Sequence, residues 1–266
     1  MFTVLSNIFA IYRRELQGYF ASPLAYAVAA IFWLLTGYFF VALLLGPEGL
    51  IQQAAYRDQL GITDPPIDLP YQFLQVYLRL LGSMSLFILP MLSMGLYTEE
   101  RKQKTLELLA TSPITNWAVA IGKLLGVATF YLTMILPLML IEAIALNTAT
   151  PNLSPAIFLT AHLGLILLAT AVLSFGMFIS SLTESTILSA ILTFALVLFL
   201  WVVDLIGNTV GGGFGDALTH ISLISNYTNF VQGIIDSSSL VLLGSYIILG
   251  IFLTAQSIDA LRFQRS

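Results

Sequence analysis

The chain of 266 residues contains no cysteine, two histidines, and only 9% charged residues. Each shortage excludes something. Without cysteine there is no disulfide framework, no thiolate metal site and no cysteine nucleophile. His162 and His220 lie far apart, and there is no H-E-x-x-H to hold zinc. No G-x-x-x-x-G-K-[ST] is present, so the chain holds no ATP in a P-loop; "GGGFGD" (Gly211 to Asp216) lacks the lysine and the preceding strand. There is no G-x-S-x-G nucleophile elbow. These absences predict a chain that is not itself an enzyme and carries no cofactor or metal. A net charge of −4 without a long basic patch excludes nucleic acid as a partner.

What fills the space is apolar. Hydrophobic residues make up 58% and mean hydropathy is +0.92, whereas a soluble domain carries about 25% charge. The composition predicts an all-α integral membrane protein forming a single transmembrane domain over 1–266. A span needs about 20 mostly apolar residues. Six stretches qualify, near Pro23 to Leu45, Leu74 to Tyr97, Trp117 to Leu146, Pro155 to Ser180, Thr186 to Gly207 and Leu240 to Ala255. The first is too long for the core of a cleavable signal peptide, about 7–15 residues, and reads as an anchor. Pro90 and Pro137 predict bends in the second and third.

Basic residues set orientation. With the N-terminus inside, Arg13, Arg14, Arg101, Lys102, Lys104, Lys123, Arg262 and Arg265 fall on the inner side, and only Arg57 and Arg79 on the outer. Both termini are therefore expected in the cytoplasm, with Trp117 as an interfacial anchor. Residues 1–22 place Ile8, Ile11, Tyr12, Glu15, Leu16 and Tyr19 among Arg13, Arg14 and Gln17, which predicts a helix on the inner membrane surface. In the outer segment 208–239, Ile224, Tyr227, Val231 and Ile234 or Ile235 recur near helical spacing and predict a short amphipathic helix at the outer leaflet.

One segment breaks the pattern. In "TEERKQKTLE" (Thr98 to Glu107), six of ten residues are charged: Glu99, Glu100, Arg101, Lys102, Lys104 and Glu107. It falls between the second and third spans. Thr98 is expected to cap a helix over 98–112, with Glu99 and Glu100 in its first turn and Glu100 paired to Lys104 four residues on. Leu106, Leu109 and Ala110 form an apolar stripe, and Ser112-Pro113 ends it. Basic residues suffice to fix topology. Three glutamates on the same helix add nothing to that, and suit docking onto another protein.

The stretch "EERKQKTLELLATSPITNWAVAIGK" (Glu99 to Lys123) resembles the signature of ABC-2-type transporter permeases. Glu99, Glu100, Thr105, Leu106, Glu107, Leu108, Leu109, Ser112, Pro113, Gly122 and Lys123 match that pattern, while Lys104 stands where the family usually has glycine. The tail, "ISNYTNFVQGIIDSSSLVLLGSYIILGIFLTAQSIDALRFQR", is similar to the end of the gliding-motility and copper-site-maturation branch. The resemblance implies a plasma-membrane subunit without ATPase activity. Its partners would be two copies of an ABC ATPase, which bind ATP and magnesium, and a second permease. It further implies export by alternating access, and ATPase coupling through Glu99, Glu100, Arg101, Lys104, Thr105 and Glu107. Two rival readings are an ion-gradient-driven secondary transporter and a non-transporting membrane scaffold for an ATPase.

Arg79, Glu142, His162 and Asp204 lie toward the outer ends of their spans at similar depth. Charge within the bilayer is costly, so Arg79 is expected to pair with Glu142 or Asp204. The four form either a structural polar cluster or an outer gate.

Overall fold

The computed structural model describes residues 2–62, 68–105, 114–149 and 152–263. Among these the ordered elements are helices alone. Helix α1 (Phe2–Ala21) leads through Ser22 into α2 (Pro23–Leu45), the first span. Proline suits the first helical turn, where no N–H partner is lost, and the Ser22 hydroxyl accepts from the Ala25 N–H. A helix not foreseen in the first outer loop follows, α3 (Leu50–Gln59).

The second span is α4 (Leu69–Ser93), capped by Asp68, whose carboxylate accepts from the Tyr71 N–H at 3.1 Å. Pro90 removes a backbone donor inside it. The helix breaks at Met94 and restarts as α5 (Gly95–Lys102). The third span, α6 (Asn116–Asn147), contains Pro137. Next to that irregularity, the Trp33 indole donates to the Met134 carbonyl at 2.7 Å and fastens the first span to the third.

The fourth span, α7 (Pro155–Leu182), is the axis of the bundle, packing against α4, α5 and α6. The fifth, α8 (Thr186–Val210), ends at Gly211 in the left-handed region. Two short helices follow, α9 (Gly212–Ile221), folded back on the end of α8, and α10 (Leu223–Val231). The sixth span, α11 (Ser237–Phe263), closes the chain against α7. The six long apolar helices make this a multi-pass membrane protein.

The segment 208–239 thus holds two helices where one was expected. Tyr227 and Val231 are buried as the periodicity predicts, but Ile234 and Ile235 lie past the end of α10 and are exposed. Gly233 takes a positive φ of 79° and ends the helix. Helix α10 is wedged into the bundle. A side chain at Gly82 or Gly164 would collide with Tyr227 or Phe230, and the Tyr227 hydroxyl donates to the Leu78 carbonyl at 2.6 Å.

Candidate functional site

Helix α1 lies along the first half of α6 because Gly122 and Gly126, four residues apart, present a flat stripe. A Cβ at Gly122 would come within 2.8 Å of Ile11, and one at Gly126 within 2.7 Å of Glu15. This close approach delivers Glu15 to Lys123. The Lys123 ammonium lies 2.7 Å from Glu15 Oε1 and 3.0 Å from Glu100 Oε1, and donates to the Leu96 carbonyl at 2.8 Å. The Tyr97 ring lies beneath it, 4.9 Å to the centroid. Lys123 is only 3% exposed. A buried ammonium is tolerated when its donors are satisfied and counter-charges are near. Here both conditions hold, through residues of α1 and α5.

Further contacts extend this corner across the same end of the bundle. Arg101 Nη1 donates to the Ser181 carbonyl at 2.5 Å, joining α5 to the end of α7. The Ser181 and Ser257 hydroxyls are 2.6 Å apart, joining α7 to α11. The Asn116 amide donates to Asp259 Oδ1 at 2.5 Å, joining α11 back to the start of α6. The path α6–α5–α7–α11–α6 is closed, and Glu15 adds α1 to it.

The expected helix over 98–112 needs correction in its described part. Thr98 is not its cap. It lies inside α5, buried, with its hydroxyl on the Met94 carbonyl at 2.8 Å. The helix runs in from α4, so its start is set by the break at Met94. It also ends early. The Lys104 N–H bonds to the Arg101 carbonyl and the Thr105 N–H to the Glu100 carbonyl, a Schellman closure with Lys104 at φ 57°. Lys104 is off the helix, so the expected Glu100–Lys104 pair does not form; Glu100 faces Lys123 instead. The position where the family pattern has glycine is the one that takes the left-handed conformation.

The expected coupling residues divide. Glu100 and Arg101 turn inward to α6 and α7. Glu99, Lys104 and Thr105 are exposed, as is Lys102. Glu107 lies outside the described residues. Beside the exposed set, a cleft of about 540 Å³ separates α5 from the turn between α7 and α8, lined by Glu99, Lys102, Glu184, Ser185 and Ile187. Sequence reasoning missed Glu15 and Asp259 as structural partners and counted Lys123 only as a motif and topology residue. A lysine seven residues into an apolar span, flanked by two glycines four apart, was the available signal.

Of the outer group, the structure brings together Glu142 and His162. Glu142 Oε2 is 3.6 Å from His162 Nε2, both residues are buried, and neither Glu142 oxygen has a hydrogen-bond partner. His162 Nδ1 is 2.9 Å from the Phe158 carbonyl. The expected pairing of Arg79 with Glu142 or Asp204 does not occur among the described residues. Tyr77, Leu78, Leu81, Gly82 and Ser85 form the buried face of α4, and Arg79 falls outside that arc. Asp204 is half-buried on α8.

A family model described as ABC-2 family transporter protein matches residues 62–256. A comparison with curated proteins found no match. The matched range takes in the second to fifth spans, most of the sixth, the charged segment, and Glu100, Arg101 and Lys123 of the buried corner; Glu15 lies before it and Asp259 after it. With most of its length matched and its six spans in place, the chain belongs to the ABC-2 transporter family.

Proposed function

We propose that this permease subunit carries a substrate outward by alternating access, driven by a separate ATPase that docks on the exposed residues of α5 and the neighbouring cleft. The family implies an ABC ATPase as partner. The working complex in this reading has two permeases and two ATPases, sits in a plasma membrane with both termini cytoplasmic, and leaves ATP and magnesium to the ATPase. The distribution of basic residues supports that orientation.

The observation that carries the reading is the division within the charged segment. Glu99 and Lys102 face a cleft open to a partner, while Glu100 and Arg101 bind spans three and four. A docked subunit that displaces α5 therefore pulls directly on α6 and α7. Coupling requires that the two states differ in contacts to the partner, and this arrangement supplies an element that both sides grip.

The test is purification of the tagged chain from its native membrane in mild detergent, with mass spectrometry of what accompanies it. A subunit with a P-loop at equal stoichiometry is expected. It should be lost in Glu99→Lys/Lys102→Glu, whose charges are exposed, with the permease still folded. A chain that purifies without a nucleotide-binding subunit would overturn the proposal.

A further inference from the structure

A cleft of about 320 Å³ opens beneath α1, between the foot of α2 and the joint of α4 with α5. Its walls are unlike one another. Leu24 and Met91 supply an apolar wall that is itself open to the surroundings, 48% and 42% exposed. Glu15 and Glu99 supply a polar end. Glu15 and Glu100 share the single ammonium of Lys123, and a third carboxylate, Glu99, lines the cleft as well. Gly18 and Gly95 line the cleft with nothing within 4 Å of where a Cβ would stand. Arg14 precedes Gly18 by one helical turn, so helix geometry puts a guanidinium on the same face.

An apolar wall, two carboxylates and a neighbouring guanidinium complement a molecule with a fatty chain, an ammonium and a phosphate. The cleft lies where an amphipathic helix meets the ends of the spans, which is headgroup depth for such a helix. We infer that it binds one phosphatidylethanolamine, with the ammonium at Glu99 and Glu15, the phosphate toward Arg14, and the chains along Leu24 and Met91. The primary ammonium can donate hydrogen bonds to carboxylates. The choline headgroup cannot, and is held by cages of several aromatic rings; this cleft offers Tyr19 alone. An anionic headgroup is opposed by both glutamates. The lipid would fill the space between the membrane-surface helix and α5, and its binding does not depend on the ATPase reading above.

The experiment is native mass spectrometry of the full-length chain, delipidated in detergent and titrated with phosphatidylethanolamine, phosphatidylcholine or phosphatidylglycerol. The expected result is one phosphatidylethanolamine retained per chain in preference to the other two. Glu99→Gln should weaken retention by about tenfold, the loss of one charge-assisted hydrogen bond. Gly95→Leu should abolish it by filling the cleft, with melting temperature undiminished because leucine favours helix over glycine. Gly18→Leu fills the same cleft from α1 and decides the matter if Gly95→Leu misfolds. Preference for either other lipid, no retained lipid, or equal retention by the glycine variants and the wild type would overturn the assignment. A wild-type chain that purifies without an ATPase would leave this result unaffected, whereas a change at Glu99, which lines both clefts, would alter both.

Discussion

Two buried ionisable side chains sit near opposite ends of the third span, and the protein treats them differently. Lys123 is surrounded by two carboxylates, a carbonyl and an aromatic face, drawn from α1 and α5. Among the described residues the one ion-pair contact of Glu142 is His162, at 3.6 Å, and neither of its oxygens has a hydrogen-bond partner. The first is a junction of separate elements. The second is a pair bridging only α6 and α7. The many-partnered ammonium joins three helices, whereas the buried pair ties two at a cost in desolvation.

This comparison can be broken by removing one partner on each side. Lys123→Met leaves two carboxylates facing each other in a buried corner and is expected to cost about 4 kcal/mol, against about 3 kcal/mol for His162→Leu, which strands Glu142. The double variant Glu142→Leu/His162→Leu should recover most of the His162→Leu loss, because an apolar replacement of a buried pair is often neutral. Denaturant unfolding in detergent measures each, and additive single losses at Glu142 and His162 would show that the two do not act as a pair.

A smaller effect sharpens the picture of α5. Lys104 holds a left-handed backbone conformation that glycine adopts without a Cβ clash. Lys104→Gly is expected to stabilise the chain by about 1 kcal/mol. An unchanged or lowered midpoint in the same unfolding assay would mean that the lysine side chain contributes more than its backbone strain removes.

The smallest effect lies at the far end, where Asp236 opens α11. The Ser238 hydroxyl and the Ser238 N–H donate to its carboxylate and hold it below the ordinary carboxyl range. A carboxyl depressed in the folded state contributes stability that is present above its unfolded value of about 3.9 and lost as pH falls through the folded value. The protection of the first turn of α11 against amide exchange, taken relative to the intrinsic rate at each pH, should therefore fall on acidification. Asp236→Asn, which keeps a capping side chain but does not titrate, should flatten that dependence; equal acid sensitivity in both would assign the effect elsewhere.

The spans were legible because a run of about twenty apolar residues has few other uses. The charged segment was legible as a motif. Its internal partners were not, since Lys123 and Glu15 are 108 residues apart in the chain and no periodicity links them. Depth was readable for Arg79, Glu142, His162 and Asp204, but direction around the helix was not weighed. The buried arc from Tyr77 to Ser85 would have turned Arg79 outward. The early end of α5 was hidden because Lys104 is a good helix former placed where the backbone needs a glycine-like conformation.

The central claim is that Glu100 and Lys123 transmit the pull of a docked ATPase and do not themselves bind it. Glu15→Gln/Glu100→Gln/Lys123→Met removes the charges together and leaves none stranded. The absence of native cysteine allows a label pair at Gln17→Cys and Ile235→Cys, exposed sites on α1 and just beyond α10, and the distance between them can be followed in the ATPase complex with and without ATP. The account predicts that the variant retains the ATPase as well as the wild type does, while the ATP-dependent change in distance disappears. A variant that changes distance like the wild type, or that no longer binds the ATPase, would contradict it.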